Sequence, residues 1–170
     1  DSQANYYTTH HDMNQMETTY QNINIEPYIN NFTGRKGHAG FDERKRTKIS
    51  ELNRDFVWPM FLQVALIISI LSGMPIPQIF ICDNEILDGG QRSTTIHSFK
   101  NGEFAINFNG RELYYQDVRA DRELNDRWLS YQISLLVVTG ASREQRAQMY
   151  EDFNKGVRLT AGQKLFARTS

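Results

Sequence analysis

The most apolar stretch of the chain is Met60–Leu71, and its length limits what it can become. It is shorter than the roughly 20 residues needed to cross a bilayer. Pro59 stands just before it, where a missing N–H costs a helix nothing, and Gly73 follows as a left-handed stop. The stretch therefore predicts a helix buried in a core, not a membrane span. Around it, 39% hydrophobic and 23% charged residues suit an ordinary globular domain. The 170 residues suggest one domain.

Net charge is −1, so nucleic-acid binding has to come from a local patch. The single cysteine, Cys82, excludes an internal disulfide and reads as a small buried hydrophobe. Asp1 to Thr9 are polar and lack the basic-then-apolar pattern of a secretory signal. The expected location is cytoplasmic or otherwise intracellular, with no membrane partner.

Residues 1–45 are rich in Asn, Gln, Thr and Tyr without a sustained period, and read as a polar, partly disordered leader. Within it, Ile23-Asn24-Ile25 and Tyr28-Ile29 could form a short strand or an anchor. The folded domain is expected over 46–170. Strands are predicted at Lys48–Leu52, Gln78–Cys82, Glu85–Asp88, Phe104–Phe108, Glu112–Tyr115 and Tyr131–Val138. The turns are Asp83-Asn84 and the hairpin dipeptide Asn109-Gly110. Helices are predicted from about Gln91 to Lys100 and from Ser142 to about Asn154. The second opens on Ser142 and Gln145 at capping-box spacing, with Ala147, Tyr150 and Phe153 as its apolar stripe. Thr160 and Gln163 repeat that spacing and open a short final helix. It either docks tightly or belongs to a longer protein, so a further C-terminal domain or a separate subunit is an expected partner.

Asp88-Gly89-Gly90-Gln91-Arg92 joins a predicted strand to a predicted helix. A phosphate needs positive charge and several N–H donors aimed at one point, and a helix start supplies both. Gly89 and Gly90 leave the backbone open to close approach. Arg92 offers a planar fork that fits phosphate oxygens in pairs, and Ser93, Thr94 and Thr95 add hydroxyls. Asp88 could hold a divalent cation, orient a water or position Arg92. The competing reading is a tight turn followed by a surface arginine.

Three segments carry a resemblance. They are Asn53-Arg54-Asp55-Phe56-Val57-Trp58 with the apolar helix and Gly73-Met74-Pro75-Ile76-Pro77 after it; Ile86 to Ile96; and Phe153-Asn154-Lys155-Gly156-Val157-Arg158-Leu159-Thr160. In this order the chain resembles the ParB/sulfiredoxin-like superfamily, in particular the branch with an Asp-Gly-Gln-Gln-Arg motif found in GmrSD-type modification-dependent restriction proteins. Gly90 stands where that branch usually has Gln, and Phe153 directly precedes Asn154. The resemblance implies an α+β fold, a small mixed sheet with helices packed around it. It also implies a nucleoside-triphosphate-binding and hydrolysing domain of a DNA-processing or defence-type protein. On that basis Asp88, Gln91 and Arg92 are the expected catalytic residues. Gly89, Gly90, Arg92, Ser93, Thr94 and Arg54 are the expected phosphate ligands, and Asp88 the site for Mg²⁺ or another divalent cation. Asn154 would cap or line the same cleft. The alternatives are a non-catalytic DNA- or protein-binding module with a decayed nucleotide site, and a metal-dependent DNA nuclease. Sulfiredoxin chemistry is not expected, because its cysteine is absent from the turn.

Arg44, Lys45, Arg46 and Lys48, with Arg35-Lys36 upstream, form the only dense basic cluster and are the candidate nucleic-acid contacts, with Asp42 and Glu43 diluting them. His97 could reach the cleft as a base or lie on the helix surface. Trp58 reads as packing. His10 and His11 lack companion ligands, so no zinc site is expected.

Overall fold

The computed structural model describes residues 16–155. Its centre is a five-stranded mixed sheet in the order β1-β7-β3-β4-β2. The strands are β1 (Glu17–Asn24), β2 (Lys48–Ile49), β3 (Ile79–Cys82), β4 (Glu85–Asp88) and β7 (Gln132–Thr139). β7 pairs with β1 antiparallel and with β3 parallel. β3 and β4 are antiparallel across Asp83-Asn84, both at positive φ, which a tight primed turn requires. A separate hairpin, β5 (Ile106–Phe108) with β6 (Arg111–Leu113), closes through Asn109-Gly110 in the same way.

The helices are α1 (Ile25–Asn30), α2 (Met60–Leu71), α3 (Gly90–Lys100), α4 (Tyr115–Ala120), α5 (Arg122–Ser130) and α6 (Arg143–Asn154). The larger core joins Leu66, Ile67 and Ile70 of α2 to Ile79, Ile86, Ile96, Phe99 and Trp128. A smaller one places Met149 of α6 against Phe80, Cys82, Leu87 and Val138. The fold is thus α+β with a small mixed sheet and helices around it, and α2 is the buried helix that its apolar run predicts. No helix among the described residues is long and apolar enough to cross a membrane.

The leader expected over 1–45 is overturned from Glu17 onward. β1 is part of the sheet, and Ile25, Tyr28, Ile29 and Phe32 are buried in the main core. The absence of apolar alternation has a physical origin: β1 is an edge strand exposed along nearly its whole length, so neither face has to be apolar. The loop after α1 is tied down as well. Thr33 N donates to Thr47 O at 2.9 Å, Thr47 N to Asn31 O at 2.8 Å and Asp42 N to Thr33 O at 2.8 Å.

Two helices, α4 and α5, occupy a region for which no element was expected. Asp121 caps α5 by accepting from Leu124 N, and Leu124 with Trp128 forms its buried stripe. In α6 the capping box of Ser142 and Gln145 is present; Tyr150 and Phe153 of the expected stripe pack against the smaller core, Ala147 is exposed, and the fully buried positions are Gln145, Met149 and Asp152. The Thr160–Gln163 helix, and His10 and His11, lie outside the described residues.

Candidate functional site

β4 ends at Asp88 and α3 begins at Gly90, so the strand-turn-helix geometry at the motif is present. Gly89 has φ 112°, in the region that favours glycine, and a Cβ there would meet Ile79 Cγ1 at 2.9 Å. The close approach that Gly89 permits is therefore to the core side chain of Ile79.

The residues after it turn inward. Every residue from Gly90 to His97 is buried. The Arg92 side chain has 0% exposure. Its Nη2 donates to Asp88 Oδ2 at 3.2 Å, and its Nη1 donates to the carbonyls of Pro77 and Gln78. Burial pushes the Arg92 guanidinium below its ordinary value, opposed chiefly by the Asp88 charge. Asp88, the expected cation ligand, thus has its carboxylate committed to Arg92. Gln91 Oε1 accepts from Val57 N at 2.9 Å and Trp58 N at 3.1 Å, while its Nε2 donates to Asp55 O at 3.0 Å. The segment 55–58 is thereby clamped over the first turn of α3. Ser93 shares a 2.7 Å hydrogen bond with Tyr28, whose phenol is pushed up to about 12 by burial. Thr95 donates to Gln91 O. Asp88, Gln91, Arg92 and Ser93 are brought together as an internal polar joint rather than as an open phosphate cradle.

Thr94 leads outward. Its Oγ1 accepts from Arg35 Nε at 2.9 Å, and Arg35 Nη1 donates to Arg54 O at 3.0 Å. The Arg35 guanidinium stands over the Phe56 ring at 5.7 Å. Burial lowers its affinity for a proton, and the Asp55 charge opposes that. Arg35 lines a cleft of about 640 Å³ between the 33–43 loop and the 48–56 segment, with Lys36, Lys48, Asn53, Asp55 and Phe56. Two buried polar atoms of its lining residues have no hydrogen-bond partner among the described residues: the donor Arg35 Nη2 and the acceptor Asn53 Oδ1. Leaving such atoms unpaired costs roughly 1–3 kcal/mol each.

Of the other expected residues, Arg54 is exposed and meets this region through its carbonyl. Arg44 is 88% exposed and pairs with Asp42, and Lys45 and Arg46 are exposed nearby. Lys48 lies on the cleft wall. Trp58 is buried, in keeping with packing. His97 belongs to neither reading made for it: it is buried edge-on against Phe32, and burial with the Lys100 charge lowers its proton affinity. Asn154 ends α6. Among the described residues, no group of three or more His, Cys, Asp or Glu is placed to hold a metal ion. Arg35 and Lys36 entered the sequence reading only as the upstream part of the basic cluster, and Asn53 and Phe56 were not singled out as ligands.

Comparison with protein-family models, with curated proteins and with solved structures returns no match.

Proposed function

We infer that the chain is a nucleotide-binding domain of a DNA-processing or defence-type protein, with ParB/sulfiredoxin-like architecture, and that its ligand sits in the Arg35 cleft. The observation that carries this is the pair of unpartnered buried atoms, Arg35 Nη2 and Asn53 Oδ1, on residues of one cleft. A nucleotide supplies what both lack: phosphate oxygens accept from an arginine fork, and a base amino group donates to an amide oxygen. Lys36 and Lys48 add positive charge, and Phe56 offers an aromatic ring. The volume lies within the range of small-molecule sites. The Asp88–Arg92 turn then acts at one remove, holding Thr94 and the 55–58 segment against which Arg35 is set. Mg²⁺ would enter with the triphosphate, near Glu51 and Asp55, which line the same cleft.

This geometry favours binding over the catalytic roles first given to Asp88, Gln91 and Arg92, since all three are buried and engaged. A nucleic-acid reading has one observation of its own: Lys48 belongs both to the cleft and to the basic stretch Arg44, Lys45, Arg46. A strand could follow that stretch into the cleft by its phosphates.

Calorimetric titration with ATP and with GTP, each with Mg²⁺, tests the inference. Binding by the unaltered protein and a loss of about tenfold or more in Arg35→Ala are expected. No binding of either nucleotide, or unchanged binding by the folded variant, overturns it.

A further inference from the structure

Among the described residues, no strand pairs with the outer edge of β1. The strand is the terminal one of the sheet, and its register with β7 runs unbroken from Glu17↔Thr139 to Asn24↔Gln132. Ile25 N donates to Tyr131 O at 2.9 Å. In an antiparallel ladder alternate residues face the neighbour, so Glu17, Thr19, Gln21 and Ile23 bond toward β7. The N–H and C=O groups of Thr18, Tyr20, Asn22 and Asn24 therefore point away from the sheet. Sheet edges are commonly blunted by lysine, proline or a bulge. β1 has none of these, and Tyr20 is 74% exposed.

We propose that β1 pairs antiparallel with β1 of a second copy, about a two-fold axis normal to the sheet at Gln21. A two-fold of this kind keeps the faces of both sheets aligned, so facing residues must have the same parity. Centred on Gln21, it sets Thr18 opposite Asn24 and Tyr20 opposite Asn22. All four outward-facing residues then find a partner, each facing pair exchanging two backbone bonds. The only charged side chain of β1, Glu17, falls outside the four facing pairs, so no like charges meet. An edge that is neutral, regular and matched to itself in this register fits a second copy of the same strand. The two five-stranded sheets become one continuous sheet, a closed isologous assembly.

Light scattering on the full chain tests this, with a mass twice the 19.8 kDa of the monomer expected at tens of micromolar. Tyr20→Lys with Asn22→Lys places lysine opposite lysine at the two central facing pairs and should return the monomer with its circular dichroism unchanged. Gln21→Cys should cross-link to itself under mild oxidation, because it faces its own copy at the axis. A monomeric unaltered protein overturns the proposal, and so does a dimer that survives the lysine pair. A dimer that Gln21→Cys fails to cross-link overturns the register, as does pairing of β1 with another segment of its own chain in a monomer.

Discussion

At the scale of single residues, two arginines with the same chemistry are put to different use by burial. Arg92 has no contact with solvent, and Asp88 and two carbonyls hold its guanidinium. Removing one partner of a buried pair strands the other charge, which costs about 3–5 kcal/mol. Arg92→Ala is therefore expected to lower stability by that amount in urea unfolding, and a loss under about 1 kcal/mol would show that the joint is not internal. Each arginine has one donor without a partner among the described residues, but that of Arg92, Nε, is sealed in the core, whereas that of Arg35, Nη2, stands on a cleft-lining residue anchored at Nε and Nη1. Sequence could not separate the two. An arginine one helical turn after an aspartate reads equally well as a phosphate fork or as a partner to that aspartate, and only the depth of the chain around it decides.

At the scale of elements, α3 shows how composition can mislead. Gln91, Arg92, Ser93, Thr94 and Thr95 would mark an exposed helix by polarity, yet all are buried because the first four find partners on other segments and Thr95 bonds back to Gln91 O within the helix. The strands, the primed turns and α2 were legible, since alternation, Asn-Gly chemistry and an apolar run are local signals. β1 and α1 were legible only as a short strand or anchor at Ile23-Asn24-Ile25 and Tyr28-Ile29, because β1 depends on pairing with β7, more than a hundred residues away, and α1 on packing in the main core. A second polar joint ties the helices together. Glu26 of α1 accepts from Trp128 Nε1 of α5 at 2.7 Å and from Tyr115 of α4, and it pairs with Lys100 of α3 and Arg119 of α4. Burial alone would raise its carboxyl. The bonds from Tyr115 and Trp128, with Lys100, hold it below its ordinary value of 4.5. A carboxyl depressed on folding stabilises above its unfolded value, and that contribution is lost as pH falls through the folded value. Thermal stability should therefore drop from about pH 4.5 downward. In Glu26→Gln this acid limb should be shallower, and an identical limb would remove Glu26 from the account.

At the scale of the whole molecule, the two ends of the sheet have separate tasks. β2 and β4 carry the cleft side: Ile49 follows Lys48 on the cleft wall, and Asn53 Nδ2 donates to Ile86 O at 2.6 Å. β1, at the far edge, is the strand proposed to pair with a second copy. The motif turn lies between them, and its buried side chains set the positions of the segments that form the cleft. The strand-turn-helix of the motif was therefore legible in sequence, while the proposed ligand cleft is lined by other residues, from the 33–43 and 48–56 segments. Amide chemical-shift mapping of the full chain during titration with ATP and Mg²⁺ tests this displacement most directly. The account predicts the largest shifts at Gly34, Arg35, Lys36, Lys48 and Asn53, with Gly89 to Arg92 changing less. Shifts concentrated at Gly89 to Arg92 with the cleft silent, or no shifts at all, would contradict it.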